Sequence, residues 1–86
     1  MEPGADIRQQ IVSIIAEQLR VPAAELTPPA RFRSLPDVDS MRVLEVILKV
    51  EKAFGVEISD EATFRIETVG EFQDLVVRLC QEQASA

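Results

Sequence analysis

Apolar residues recur at helical spacing in three long segments of this 86-residue chain. Each segment is bounded by residues that start or stop helices. Ile7, Ile11, Ile14, Ile15 and Leu19 share one face of a helix predicted over residues 6–20, with Asp6 as its cap and Pro22 as its stop. A second helix is predicted over residues 40–54. Asp39 or Ser40 caps it, and Gly55 suits the left-handed position that follows a helix end. Val56-Glu57-Ile58 alternates like a short extended link, and residues 60–65 have room for a short third helix. The last helix opens on Thr68-Val69-Gly70-Glu71, a capping-box pattern with Thr68 as cap and Glu71 reaching back. Phe72, Leu75, Val76 and Leu79 then form its apolar face.

Between the first two helices lies a long loop, residues 21–38, which Leu26, Phe32 and Leu35 can pin to the core. A loop of that length in a compact domain is usually functional or contains a short helical turn. The expected fold is all-α: a small four-helix bundle of three main helices and one short helix, with a long first loop. Residues 1–5 are expected to be a disordered N-terminus, residues 6–80 the domain and residues 81–86 a frayed polar tail.

The second helix carries more apolar surface than one face needs. At about 100° per residue, Val43, Val46, Ile47, Val50 and Phe54 gather into one stripe, ample to face a core. Met41, Leu44 and Leu48 form a second stripe displaced by roughly 120°. A domain this small has difficulty burying both, so the second stripe is expected to be part exposed. An exposed apolar strip ringed by charge marks an interaction surface. It begins one residue after Ser40.

Composition narrows the function. Lysine and arginine number 9 against 15 aspartates and glutamates, a formal net charge of -6. That argues against nucleic acid, which needs clustered cations, and suits partners with a basic surface. With four phenylalanines and no tryptophan or tyrosine, the core must be built from Ile, Leu, Val and Phe. There is no apolar run of membrane-spanning length and no signal-peptide pattern, so a cytoplasmic monomer without a membrane span is expected. The single cysteine, Cys80, cannot form an internal disulfide and sits at the edge of the last helix's apolar face, where a small core residue belongs.

No histidine is present to activate Ser40, and no glycine-rich phosphate loop or metal-ligand cluster is visible. Hence neither catalytic residues nor metal ligands are expected. A serine at the open end of a helix, beside Asp39 and without a general base, is better suited to be a point of attachment than a nucleophile.

The ordered run Asp39-Ser40-Met41, Glu45, Glu51, Phe54, Val56, Ile58, Asp60-Glu61, Ile66 and Thr68-Val69 is similar to that of acyl carrier proteins, and Glu25-Leu26-Thr27-Pro28 with Phe32 resembles their first loop. The similarity covers most of the chain. It implies a carrier, not an enzyme, with 4′-phosphopantetheine transferred from coenzyme A onto Ser40 and acyl groups held on its thiol as thioesters. Asp39 flanks the attachment site, and Met41, Leu44, Glu45 and Leu48 would face partners. The implied partners are a phosphopantetheinyl transferase, an acyl- or aminoacyl-loading ligase or transferase, and downstream synthases of fatty acid, polyketide or related biosynthesis.

The chain departs from the commonest pattern in placing Asp37 where fatty-acid carriers have glycine, Met41 where they have leucine, and Arg42, Lys49 and Lys52 on a helix that is usually acidic. Carriers of D-alanine share the Asp-Ser-Met spelling, so an aminoacyl or peptidyl carrier is an alternative. An unmodified helical adaptor that binds through Met41, Leu44 and Leu48 is the alternative of another class.

Overall fold

A computed structural model describes residues 3–35 and 40–85, with side chains described within residues 6–35 and 41–83. Its helices are α1 (Pro3–Leu19), α2 (Ser40–Phe54), α3 (Asp60–Arg65) and α4 (Val69–Ser85). The fold is the expected all-α bundle, with three main helices and one short one.

Three of the helices supply the centre of the core. Ile11, Ile15 and Leu19 come from α1, Val46, Ile47 and Val50 from α2, and Val69, Phe72 and Val76 from α4; Val21, Leu26 and Ile58 add to it from the connections. The apolar spacing read from the sequence is the spacing of these buried positions. Leu75, Leu79 and Cys80 pack against the core while half-buried, and burial pushes the Cys80 thiol above its ordinary pKa.

Helix boundaries differ from expectation at both ends of the chain. α1 begins at Pro3, within the segment expected to be disordered. Proline suits a first helical turn, where its missing N–H would have had no partner. α4 runs through Ser85, past the expected fraying point after Cys80. Its added turn is tied down where Gln83 Nε2 donates to Gly55 O at 2.8 Å.

The main-chain ends of α1 and α2 close in the same way. Arg20 and Gly55 both take left-handed backbone angles, φ 55° and 65°. The next residue then donates back across the end, Val21 N to Ala16 O at 3.1 Å and Val56 N to Glu51 O at 3.2 Å. These are Schellman closures, which satisfy carbonyls that the helix leaves without partners. Glycine takes such a conformation freely, whereas at Arg20 the positive φ costs about 1–2 kcal/mol.

The long first loop contains two short helical turns, Ala23–Glu25 and Phe32–Ser34. It is docked rather than loose. Leu26 is buried, and Phe32 meets Phe72 edge to face with ring centroids 6.0 Å apart. Carbonyls of the loop accept amides at the start of α4, Val69 N to Ala30 O and Gly70 N to Pro28 O, each 2.9 Å. A Cβ at residue 70 would lie 3.0 Å from Pro28 O, so glycine permits this approach. Phe32 N donates to Glu67 O at 3.0 Å. The loop is thereby fixed to the α3–α4 connection before it reaches the start of α2.

Thr68 caps α4 as expected, with Glu71 N donating to its Oγ1 at 3.2 Å. Glu71 does reach back, but it accepts from the Thr68 hydroxyl and not from the backbone amide.

Candidate functional site

α2 begins at Ser40, so the backbone puts this residue where the sequence placed it, at the start of a helix. Asp37 and Asp39 lie outside the described residues, as does the side chain of Ser40. The first turn of α2 contains no acidic residue and includes Arg42. Free amides at a helix start, together with the helix dipole, favour an anion. The first turn of α2 therefore suits a phosphodiester carried at this end of the helix.

The two apolar stripes of α2 separate cleanly. Val46, Ile47 and Val50 are buried and Val43 and Phe54 half-buried against the core. Met41, Leu44 and Leu48 are 70%, 53% and 55% exposed. Elementary angular counting thus located both the core face and the open strip of this helix.

The charged residues of α2 divide in a way that counting did not show. Glu45, Lys49 and Lys52 are exposed. Arg42 is half-buried, and its Nη1 donates to Gln18 O on α1 at 3.4 Å, a long contact. Glu51 is also half-buried, with Oε2 accepting from Ile58 N at 2.8 Å. This carboxylate holds the link that leads from α2 to α3, so its role is structural. The i,i+4 pairing of Glu45 with Lys49 that the spacing allows does not form. Among the described residues the ion pairs are Arg8 with Asp74 and Arg65 with Glu61. An exposed i,i+4 pair on a helix contributes only about 0.3–0.5 kcal/mol net of the side-chain freedom it gives up.

A cleft of about 670 Å³ opens between α2, α3 and the loop turn at Phe32. Val43 and Leu44, one helical turn after Ser40, line it together with Val46, Ile47, Ile66 and Phe72. Arg33, Asp60 and Thr63 supply polar groups at its wall. Phe64 also lines it while remaining 88% exposed. Sequence reasoning missed both the cleft and Phe64. The available signal was a phenylalanine inside the polar hexapeptide of α3, Asp60–Arg65, which has no apolar partner on its own helix at i−4 or i−3. Ser59 fixes the start of that helix, its Oγ accepting from Ala62 N at 3.1 Å.

Exposure makes a direct prediction for Leu44. Leu44→Asp should shift the unfolding midpoint by less than about 1 kcal/mol, because the side chain is already half in water. It should slow processing by any enzyme that docks on α2. Urea unfolding alongside a transferase assay separates the two effects, and a variant that fails to fold would place Leu44 in the core.

Comparison with known proteins agrees with this arrangement. The model of the phosphopantetheine attachment site family matches residues 9–76. An acyl carrier protein of Rubrobacter xylanophilus is 44% identical over 72 residues, which are 84% of this chain and 89% of that protein. One from Helicobacter pylori is 46% identical over 63 residues, 73% and 81% of the two chains. The solved acyl carrier protein of Enterococcus faecalis superposes with a TM-score of 0.75 at 32% identity, covering 91% of this chain and 99% of that one. Such proteins are carriers rather than enzymes, they work with partner enzymes, and their cofactor is a covalently attached 4′-phosphopantetheine. No described helix is long and apolar enough to cross a membrane. A serine-initiated α2, an exposed apolar strip beside it and a match that spans most of the sequence lead to one conclusion: this chain belongs to the acyl carrier protein family.

Proposed function

We propose that this chain tethers acyl intermediates on a 4′-phosphopantetheine arm attached to Ser40 and presents them, in the cytoplasm, to enzymes of fatty acid, polyketide or related biosynthesis. When bound, the arm supplies a flexible reach and a terminal thiol on which cargo is held as a thioester. The residues of the chain do the rest. Ser40 offers a hydroxyl at the start of α2, where the first turn is free of carboxylates. Asp39 flanks it in sequence. Met41, Leu44, Glu45 and Leu48 form the exposed face that a transferase or synthase would meet.

The observation that carries the acyl reading is the cleft between α2 and α3. Its lining is mostly Leu, Val, Ile and Phe, and it starts one turn from Ser40. Such a lining suits an apolar chain, because burying each methylene gains about 0.8 kcal/mol. A single amino acid such as D-alanine would leave most of the cleft unfilled.

The experiment is incubation of the purified chain with coenzyme A and a broad-specificity phosphopantetheinyl transferase, followed by intact-mass spectrometry. A gain of one arm is expected. An unchanged mass would favour the unmodified adaptor that binds partners through Met41, Leu44 and Leu48. Loading the modified chain next with an acyl transferase, and separately with a D-alanine ligase, distinguishes the two carrier classes.

A further inference from the structure

We propose that the exposed face of α2 is built for a partner enzyme whose docking patch is apolar at its centre and acidic along the flank that meets Lys49 and Lys52. This rests on the carrier reading above and adds to it the chemistry of the partner's surface.

The inference comes from which charges the fold leaves on that face. The whole chain has a net charge of -6. That net charge taken by itself points to a basic partner, but the cations Arg42, Lys49 and Lys52 lie on α2. There the Glu51 carboxylate is committed to Ile58 N and is half-buried. Arg42 is half-buried and directed toward α1. Glu45, Lys49 and Lys52 are the charged residues of this helix that are exposed. Neither lysine forms an ion pair with a described residue.

Around the helix, at about 100° per residue, the order is Leu44, Leu48, Met41, then Lys52, Glu45 and Lys49, an arc of roughly 140°. An apolar strip thus has a flank carrying one net positive charge, on a molecule that is acidic elsewhere. Charges farther away than about 8 Å are largely screened at physiological salt, so the flank, and not the net charge, governs the docked contact. Carboxylates opposite Lys49 and Lys52 complement this face, and a partner basic along the same edge meets repulsion.

A charge-swap experiment tests this. The probe is a malonyl transferase whose docking patch is lined by Lys and Arg, used as it is and with those cations replaced by Glu. Each form is assayed at low salt with the arm-bearing chain and with its Lys49→Glu/Lys52→Glu variant. The arm is verified by mass beforehand. The double variant should be used about three- to tenfold better than the parent chain by the basic probe, and the order should reverse with the acidic probe. Both differences should shrink as salt rises. Equal kcat/KM for the parent and variant with both probes would overturn the proposal while leaving the carrier function standing. Failure to acquire the arm would instead overturn the carrier reading, and this proposal with it.

Discussion

Replacing Ser40 with alanine is expected to abolish attachment of the phosphopantetheine arm completely and to leave the helical fold in place. The first half follows from placement. Ser40 is the serine that opens a long helix after an aspartate. Ser13 lies within α1, Ser34 lies in a short turn of the first loop, and Ser85 ends α4. Ser59 starts a helix too, but that helix has only six residues, and the Ser59 hydroxyl already accepts from Ala62 N. The second half follows from energetics. The core is assembled from apolar side chains, Ile11, Ile15, Leu19, Val46, Ile47, Val50, Val69, Phe72 and Val76 among them. Removing a hydroxyl from a helix start costs about 1 kcal/mol. The variant should therefore give the same far-ultraviolet circular dichroism as the parent chain and no mass gain with coenzyme A and transferase. A full mass gain in Ser40→Ala would show that another residue carries the arm.

Phe72→Ala should be the most damaging single change in the core. Phe72 is 2% exposed and packs edge to face on Phe32, joining α4 to the first loop. It also closes the inner wall of the α2–α3 cleft. Truncating a buried phenylalanine costs about 3–5 kcal/mol, from the lost transfer energy and the cavity left behind. A small domain has only about 5–15 kcal/mol in total. The variant should thus be close to its unfolding threshold at room temperature, with its loop released. Phe64→Ala is the control. With its side chain almost wholly in water, it should change stability by no more than about 0.5 kcal/mol. Urea titrations of the pair give the comparison, and similar midpoints would mean that Phe72 is not the anchor described here.

Much of this architecture was readable from spacing, because buried helix faces impose a period on the sequence. Ile11, Ile15 and Leu19, or Val46, Ile47 and Val50, announce their side of the helix without any structure. The same arithmetic separated Met41, Leu44 and Leu48 from the core. Other features were hidden, because they depend on contacts between residues distant in sequence. Glu51 reads as one more surface carboxylate until Ile58 N is seen to donate to it. Arg42 reads as part of a basic flank until α1 is placed beside it. The cleft needs α3 and the loop turn at Phe32 to face α2 across a gap, an arrangement that has no local signature. Arg20 in the left-handed conformation was equally illegible, since glycine is the residue that advertises such a position. At the site itself, the sequence supplied the motif and the backbone supplied a helix that starts at Ser40.

Peptide mapping of the modified wild-type chain tests the central claim most directly. The chain is incubated with coenzyme A and transferase and digested with protease, and the arm-bearing peptide is fragmented by tandem mass spectrometry. The expected result is a single arm, located on Ser40 within the peptide that contains Asp39-Ser40-Met41. An arm on any other residue, or a chain that never acquires one, would contradict it.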